Sequence, residues 1–120
     1  MSKFSLCSLA LCFILSPVVQ ADSTQTEIVE FHIAAGTKDK PWNTLEKPIY
    51  VKRGQTLRFI NDDSIEHFLH TFGAPCPHGS NPFGPGESYD CVISKVHNAS
   101  AGDNYDHEQG PDAKVYIQAD

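Results

Sequence analysis

The chain has 120 residues, of which 40% are apolar, 20% charged and 10% aromatic, with 8 Gly and 8 Pro. That length admits one small hydrophobic core, and the composition excludes a disordered, collagen-like or membrane-spanning chain. A formal charge of −6 at pH 7 argues against nucleic acid as a partner, because phosphate backbones are bound through basic patches.

Residues 1–21 read as a secretory leader: Lys3 supplies the positive start, Phe4 to Leu15 the apolar run, and Val19-Gln20-Ala21 a small-x-small cleavage site. The apolar run falls short of the roughly 20 residues that a spanning helix needs, so no membrane span is expected. Leu11 stands before Cys12, where a lipoprotein signal would want a small residue. Residues 22–120 then form a single domain, periplasmic or secreted. Losing Lys3 takes the formal charge from −6 to −7. Cys7 and Cys12 leave with the leader, and Cys76 and Cys91 remain, 15 positions apart. An even pair in an oxidising compartment reads as a disulfide, and closing such a loop should stabilise the fold by about 3 kcal/mol.

Along residues 22–120 short runs alternate apolar and polar with a period of two, the pattern of half-buried strands, and no helical stripe competes with it. Val29, Phe31 and Ile33 alternate with Glu30 and His32; Ile49 and Val51 alternate with Tyr50 and Lys52. Arg53-Gly54 makes a turn, Leu57 and Phe59 continue the pattern, and Asn61-Asp62-Asp63-Ser64 breaks it. A run from His67 to Phe72 follows. Residues 73–86 are too rich in Gly and Pro to be anything but loop. Residues 87–94 put Tyr89, Cys91 and Ile93 on one face, and residues 114–118 form the last predicted strand. Two long loops are predicted at residues 36–47 and 95–112, and loops of such length usually carry function or move. Trp42 is expected to plug the core beneath the first loop, Asp62, Asp63 and Glu66 to cap and solvate a turn, and the acidic residues 103–112 to form a solvated loop.

The chemical anomaly is the six histidines His32, His67, His70, His78, His97 and His107, five of them between residues 67 and 107. Neutral imidazole is the usual protein ligand for copper, zinc and nickel. His67-x-x-His70 and Cys76-Pro77-His78 lie where a strand end runs into a rigid loop. Hydrolytic signatures are missing: there is no Gly-x-Ser-x-Gly, no His-Glu-x-x-His and no phosphate-cradling Gly loop. No enzyme activity is expected.

Three segments carry a resemblance to a known family. Asn61-Asp62-Asp63-Ser64-Ile65-Glu66-His67 resembles the stretch of cupredoxins in which an Asn precedes the first copper-binding His by six positions. Pro85-Gly86-Glu87-Ser88-Tyr89 is similar to the Pro-Gly-Glu-Ser turn opening the penultimate strand of plastocyanin-like and methylamine-utilisation cupredoxins. Val115-Tyr116-Ile117 matches their closing strand. The resemblance spans roughly residues 27–118. It implies a Greek-key β-sandwich or barrel of about six to eight strands, one copper ion, and electron transfer or copper handling with a redox or copper-delivery protein partner. A monomer is expected.

The sequence departs from that family at the metal. Blue-copper members place a Cys, a His and then a Met before the last strand, whereas Tyr105-Asp106-His107-Glu108-Gln109-Gly110-Pro111 holds no Cys, and Met1 is the sole Met. Two site arrangements follow. In the first, Cys76 and Cys91 are bridged and copper is held by His67, His70, His78 and His107, with Asp106 or Glu108 as a carboxylate ligand or a support behind the ligands. In a regular strand His67 and His70 point to opposite faces, so both bind only if the strand bends between them. In the second, Cys91 is a thiolate ligand of a type 1 copper with His67 and His97, Gln109 serves axially, and Cys76 is left a free thiol. Copper sequestration or delivery, and a metal-free interaction module on the same scaffold, are the competing functions.

Overall fold

The structure, a computed structural model, describes residues 27–120; the leader expected at residues 1–21 lies outside the described residues. Eight strands follow in chain order: β1 Ile28–Ile33, β2 Ile49–Val51, β3 Thr56–Asn61, β4 Leu69–His70, β5 Ser88–Val92, β6 Tyr105–Asp106, β7 Gly110–Lys114 and β8 Ile117–Ala119. Among the described residues one 3₁₀ turn, Ala99–Ala101, is capped by the Asn98 side chain, which accepts from the Ser100 N–H. The expected all-β class is what forms.

The alternating segments pair as their patterns require. β1 runs parallel to β3, with Phe31 beside Phe59 and Ile33 beside Asn61, and β5 runs antiparallel on its other side, with Cys91 opposite Leu57. β2 pairs in parallel with β8. β4, β6 and β7 form an antiparallel sheet with β6 in the middle. Between them lies a core of Ile33, Leu57, Phe59, Leu69, Ile93, Val115 and Ile117. Trp42 enters this core from the first long loop, its ring 5.1 Å from Phe59 and 6.4 Å from Phe83, as the sequence anticipates. The turn at Gly54 is real: its φ of 95° is left-handed, which suits Gly.

Differences fall in the second half. The predicted strand over residues 114–118 divides, with β7 ending at Lys114 and β8 beginning at Ile117. Of the run from His67 to Phe72, Leu69 and His70 alone make a strand. Inside the second predicted loop, β6 and β7 form a hairpin with a register shift at Tyr105 and Asp106, its tip at residues 107–109. β7 tolerates Pro111 because it is an edge strand, where a missing N–H leaves no ladder bond broken.

Candidate metal centre

Three pieces of backbone meet at one edge of the β4-β6-β7 sheet. β4 ends at His70, whose cross-strand partner on β6 is Tyr105. Just beyond β6, the His107 N–H donates to the Phe68 carbonyl at 2.6 Å, which fixes the hairpin tip against the start of β4. The loop after β4 turns back: the Gly79 N–H donates to the Leu69 carbonyl at 2.9 Å, the Thr71 hydroxyl donates to the Cys76 carbonyl at 2.7 Å, and the Cys76–Cys91 disulfide ties the loop to β5. That arrangement carries His78 over the strand.

Here the ligand atoms of His70, His78 and His107 all lie within 4.8 Å of one another. His78 Nε2 is 2.9 Å from His70 Nδ1 and 3.2 Å from His107 Nδ1. Donors around one ion at about 2.0–2.1 Å in tetrahedral geometry stand roughly 3.3 Å apart, and the two distances from His78 match a shared metal. The tautomer of His78 fits too. Its Nδ1 lies 2.6 Å from the Gly79 carbonyl, which only accepts, so Nδ1 carries the proton and the neutral ring keeps a lone pair on Nε2, facing the other two rings. His70 Nε2 is buried without a hydrogen-bond partner; a metal on Nδ1 would fix the proton on Nε2. Burial lowers the pKa of His70, and the neighbouring His78 and His107 lower it further, so the ring favours the neutral, ligating form.

Aromatic rings line the cluster. Tyr105 stacks on His70 at a centroid distance of 4.2 Å, and Phe68 stacks on His107 at 5.0 Å. Phe68 also meets His78 edge-on at 5.6 Å, and Phe72 meets His70 edge-on at 4.6 Å.

The fourth histidine of the expected ligand set, His67, stands apart. It is fully buried. Its Nδ1 is hydrogen-bonded to Asp106 Oδ2 and its Nε2 to Asp63 Oδ2 at 3.0 Å. Carboxylates only accept, so both nitrogens donate and neither offers a lone pair. Burial disfavours the charged ring, but the hydrogen bonds and charges of Asp106 and Asp63 outweigh it, and the His67 pKa is raised. Asp63 is likewise penalised by burial, yet the N–H groups of Gly36 and Ser64, the Thr37 hydroxyl and His67 hold its carboxyl well below the usual range. The reading of Asp63 as a solvated cap is therefore corrected: it is a buried partner of His67 in the turn after β3, held there by Gly36 and Thr37 of the first long loop.

Asp106 is also buried rather than solvated. Besides His67 it accepts from the Phe68 N–H at 3.1 Å and the Glu108 N–H at 2.9 Å, so it ties the residue before β4 to the turn that carries His107. Glu108 itself is exposed. The thiolate arrangement is overturned. Cys91 is bridged to Cys76 and has no thiolate; His97 faces the Ile117 carbonyl at 2.8 Å and Asp103 at 2.9 Å; and Gln109 Oε1 accepts from the Asp39 N–H at 3.0 Å.

No protein-family model matches the sequence, and no curated protein matches it. Solved structures do. The fold is that of the cupredoxins. A purple cupredoxin from Nitrosopumilus maritimus is 17% identical with a TM-score of 0.57, covering 76% of this chain and 98% of that one. An oxidised amicyanin variant is 15% identical with a TM-score of 0.55, over 82% of this chain and 85% of its own. An amicyanin variant in its Cu(I) form is 17% identical at 0.52, over 79% and 82%.

Proposed function

We propose that this is an exported, monomeric copper-binding protein, residues 22–120 following a cleaved leader at 1–21, which holds one copper ion on His70, His78 and His107 and acts in electron transfer or copper handling. The observation that carries the reading is the convergence of three imidazole nitrogens, one with its tautomer set, at the end of a cupredoxin sheet. The copper supplies the redox or cargo role; the chain supplies neutral donors, aromatic walls and a disulfide-braced loop. A carrier is favoured over an enzyme. Asp106 supports the ligand loop, and Glu108 stands at its rim.

The test is a titration with Cu(II) followed by visible and EPR spectra. One equivalent is expected to bind with weak absorption and an all-nitrogen type 2 signal, and to be lost in His78→Ala. An intense visible band would require thiolate ligation and would refute the site; no binding near pH 8, where imidazoles are largely neutral, would leave the metal-free interaction module. Sequestration or delivery is the second reading, favoured by the missing thiolate and thioether.

A further inference from the structure

We propose that the centre is built to hold copper in the cuprous state, and that Phe68, Phe72 and Tyr105 set this preference; the inference rests on the copper reading above.

Charge is the first argument. The converging atoms are nitrogens of three imidazoles, all neutral donors. The nearby anions are engaged elsewhere: Asp106 is held by His67 and two backbone N–H groups, Asp103 is on His97, and the cysteine sulfurs are bonded to each other. Glu108, exposed at the hairpin tip, is the remaining acidic neighbour. With no anion among the three donors the ion's charge stays whole, and the loss of hydration grows with the square of that charge. Cu(II) therefore loses far more than Cu(I) on entering.

Geometry is the second. Cu(II) prefers a tetragonal set of nitrogen and oxygen ligands, which three donors do not complete. Aromatic rings occupy part of the surroundings that further ligands would need: Tyr105 stacks on His70, Phe72 meets the same ring edge-on, and Phe68 lies against both His78 and His107. The attraction between ring faces and a ligand cation works the other way, favouring Cu(II).

Phe72 is the third. It is 71% exposed, so packing of the core does not account for an aromatic residue there. Its ring meets His70 edge-on. An apolar shell around a metal controls solvent access and local dielectric, and through them the reduction potential.

The experiment measures both affinities on the purified protein, Cu(I) against a cuprous chelating dye under anaerobic reductant and Cu(II) against a cupric chelator, at one pH. Cu(I) is expected to bind at least about a hundredfold tighter. Phe72→Ser, at an exposed position where folding is not at stake, is expected to narrow the gap about tenfold, a fall of about 59 mV in the potential of the bound couple, whereas Phe72→Leu retains it. Equal or tighter Cu(II) binding overturns the inference, and if Glu108→Gln then weakens Cu(II) alone, Glu108 is the extra ligand. An unchanged gap in Phe72→Ser overturns the role of the ring. Binding of neither ion removes the copper reading itself, an outcome distinct from binding of both.

Discussion

At the scale of single residues, His67 closes the segment that resembles a family ligand stretch and His70 follows three positions later, yet they do opposite work. Three positions apart on extended backbone, they face opposite sides. His67 turns into the core between Asp63 and Asp106, and His70 turns out to the cluster. Their substitutions should separate cleanly. His67→Ala leaves two buried carboxylates unpaired and is expected to lower stability by about 3–5 kcal/mol in urea unfolding. His78→Ala removes a half-buried ring and is expected to leave the unfolding midpoint nearly in place while weakening copper at least about a hundredfold. The pair also dictates a pH profile. With its pKa raised above 6.5, His67 contributes fully below about pH 6.5, and that contribution falls as pH climbs to the raised value. Asp63, held below its ordinary 3.8, contributes fully above about pH 4 and loses it only under stronger acid. Metal-free stability should therefore peak between about pH 4 and 6.5 and decline through neutrality, and the alkaline decline should flatten in His67→Gln. The sequence makes the ligand chemistry legible, and the His-x-x-His spacing already requires one ring in and one out. It does not say which, because the deciding carboxylates lie 4 residues before and 39 residues after His67.

At the scale of elements, the site depends on a hairpin and a loop that local pattern conceals. β6 has only two residues, and β7 is spelled Gly-Pro-Asp-Ala-Lys, which carries turn chemistry and no alternation. Pairing with β4 and the hydrogen bonds to Asp106 create the hairpin, and these are contacts between distant segments. The disulfide was legible, since reading residues 1–21 as a leader leaves Cys76 and Cys91 as an even pair, for which a bridge is the expected outcome. It closes the loop two residues before His78. Reduction should lower stability by about 3 kcal/mol and weaken copper binding with it, which denaturation and titration with and without reductant will check. Gly79 is a sharper probe. A Cβ there would stand 2.6 Å from the Leu69 carbonyl oxygen and 3.2 Å from the Phe68 ring, and a backbone oxygen cannot swing away. Gly79→Ala is expected to cost about 1–3 kcal/mol and to move His78 off the other two rings, lowering copper affinity more than the fold alone would explain.

At the scale of the whole molecule, the first half of the sheet system was readable from alternation alone: β1, β2 and β3 fall where apolar positions recur every second residue, and Trp42 fills the space beneath its loop. The all-β class followed from the density of Pro and Gly and the lack of a helical stripe. The metal group sits at the margin of this framework, with Ile33, Leu57, Phe59 and Ile117 packed without it. Removing copper is accordingly expected to leave the far-ultraviolet dichroism unchanged. Adding it should raise the melting temperature only through binding linkage, about 2.7 kcal/mol at a free concentration one hundred times Kd.

The short tether from Cys76 to His78 has a consequence of its own. One imidazole is borne by a segment clipped covalently to β5, while the other two ride on β4 and on the β6–β7 tip. An acceptor that pries His107 outward would leave the ion on two nitrogens, and it could pass sideways into the acceptor by stepwise exchange, its donor never unfolding and immediately ready to be refilled.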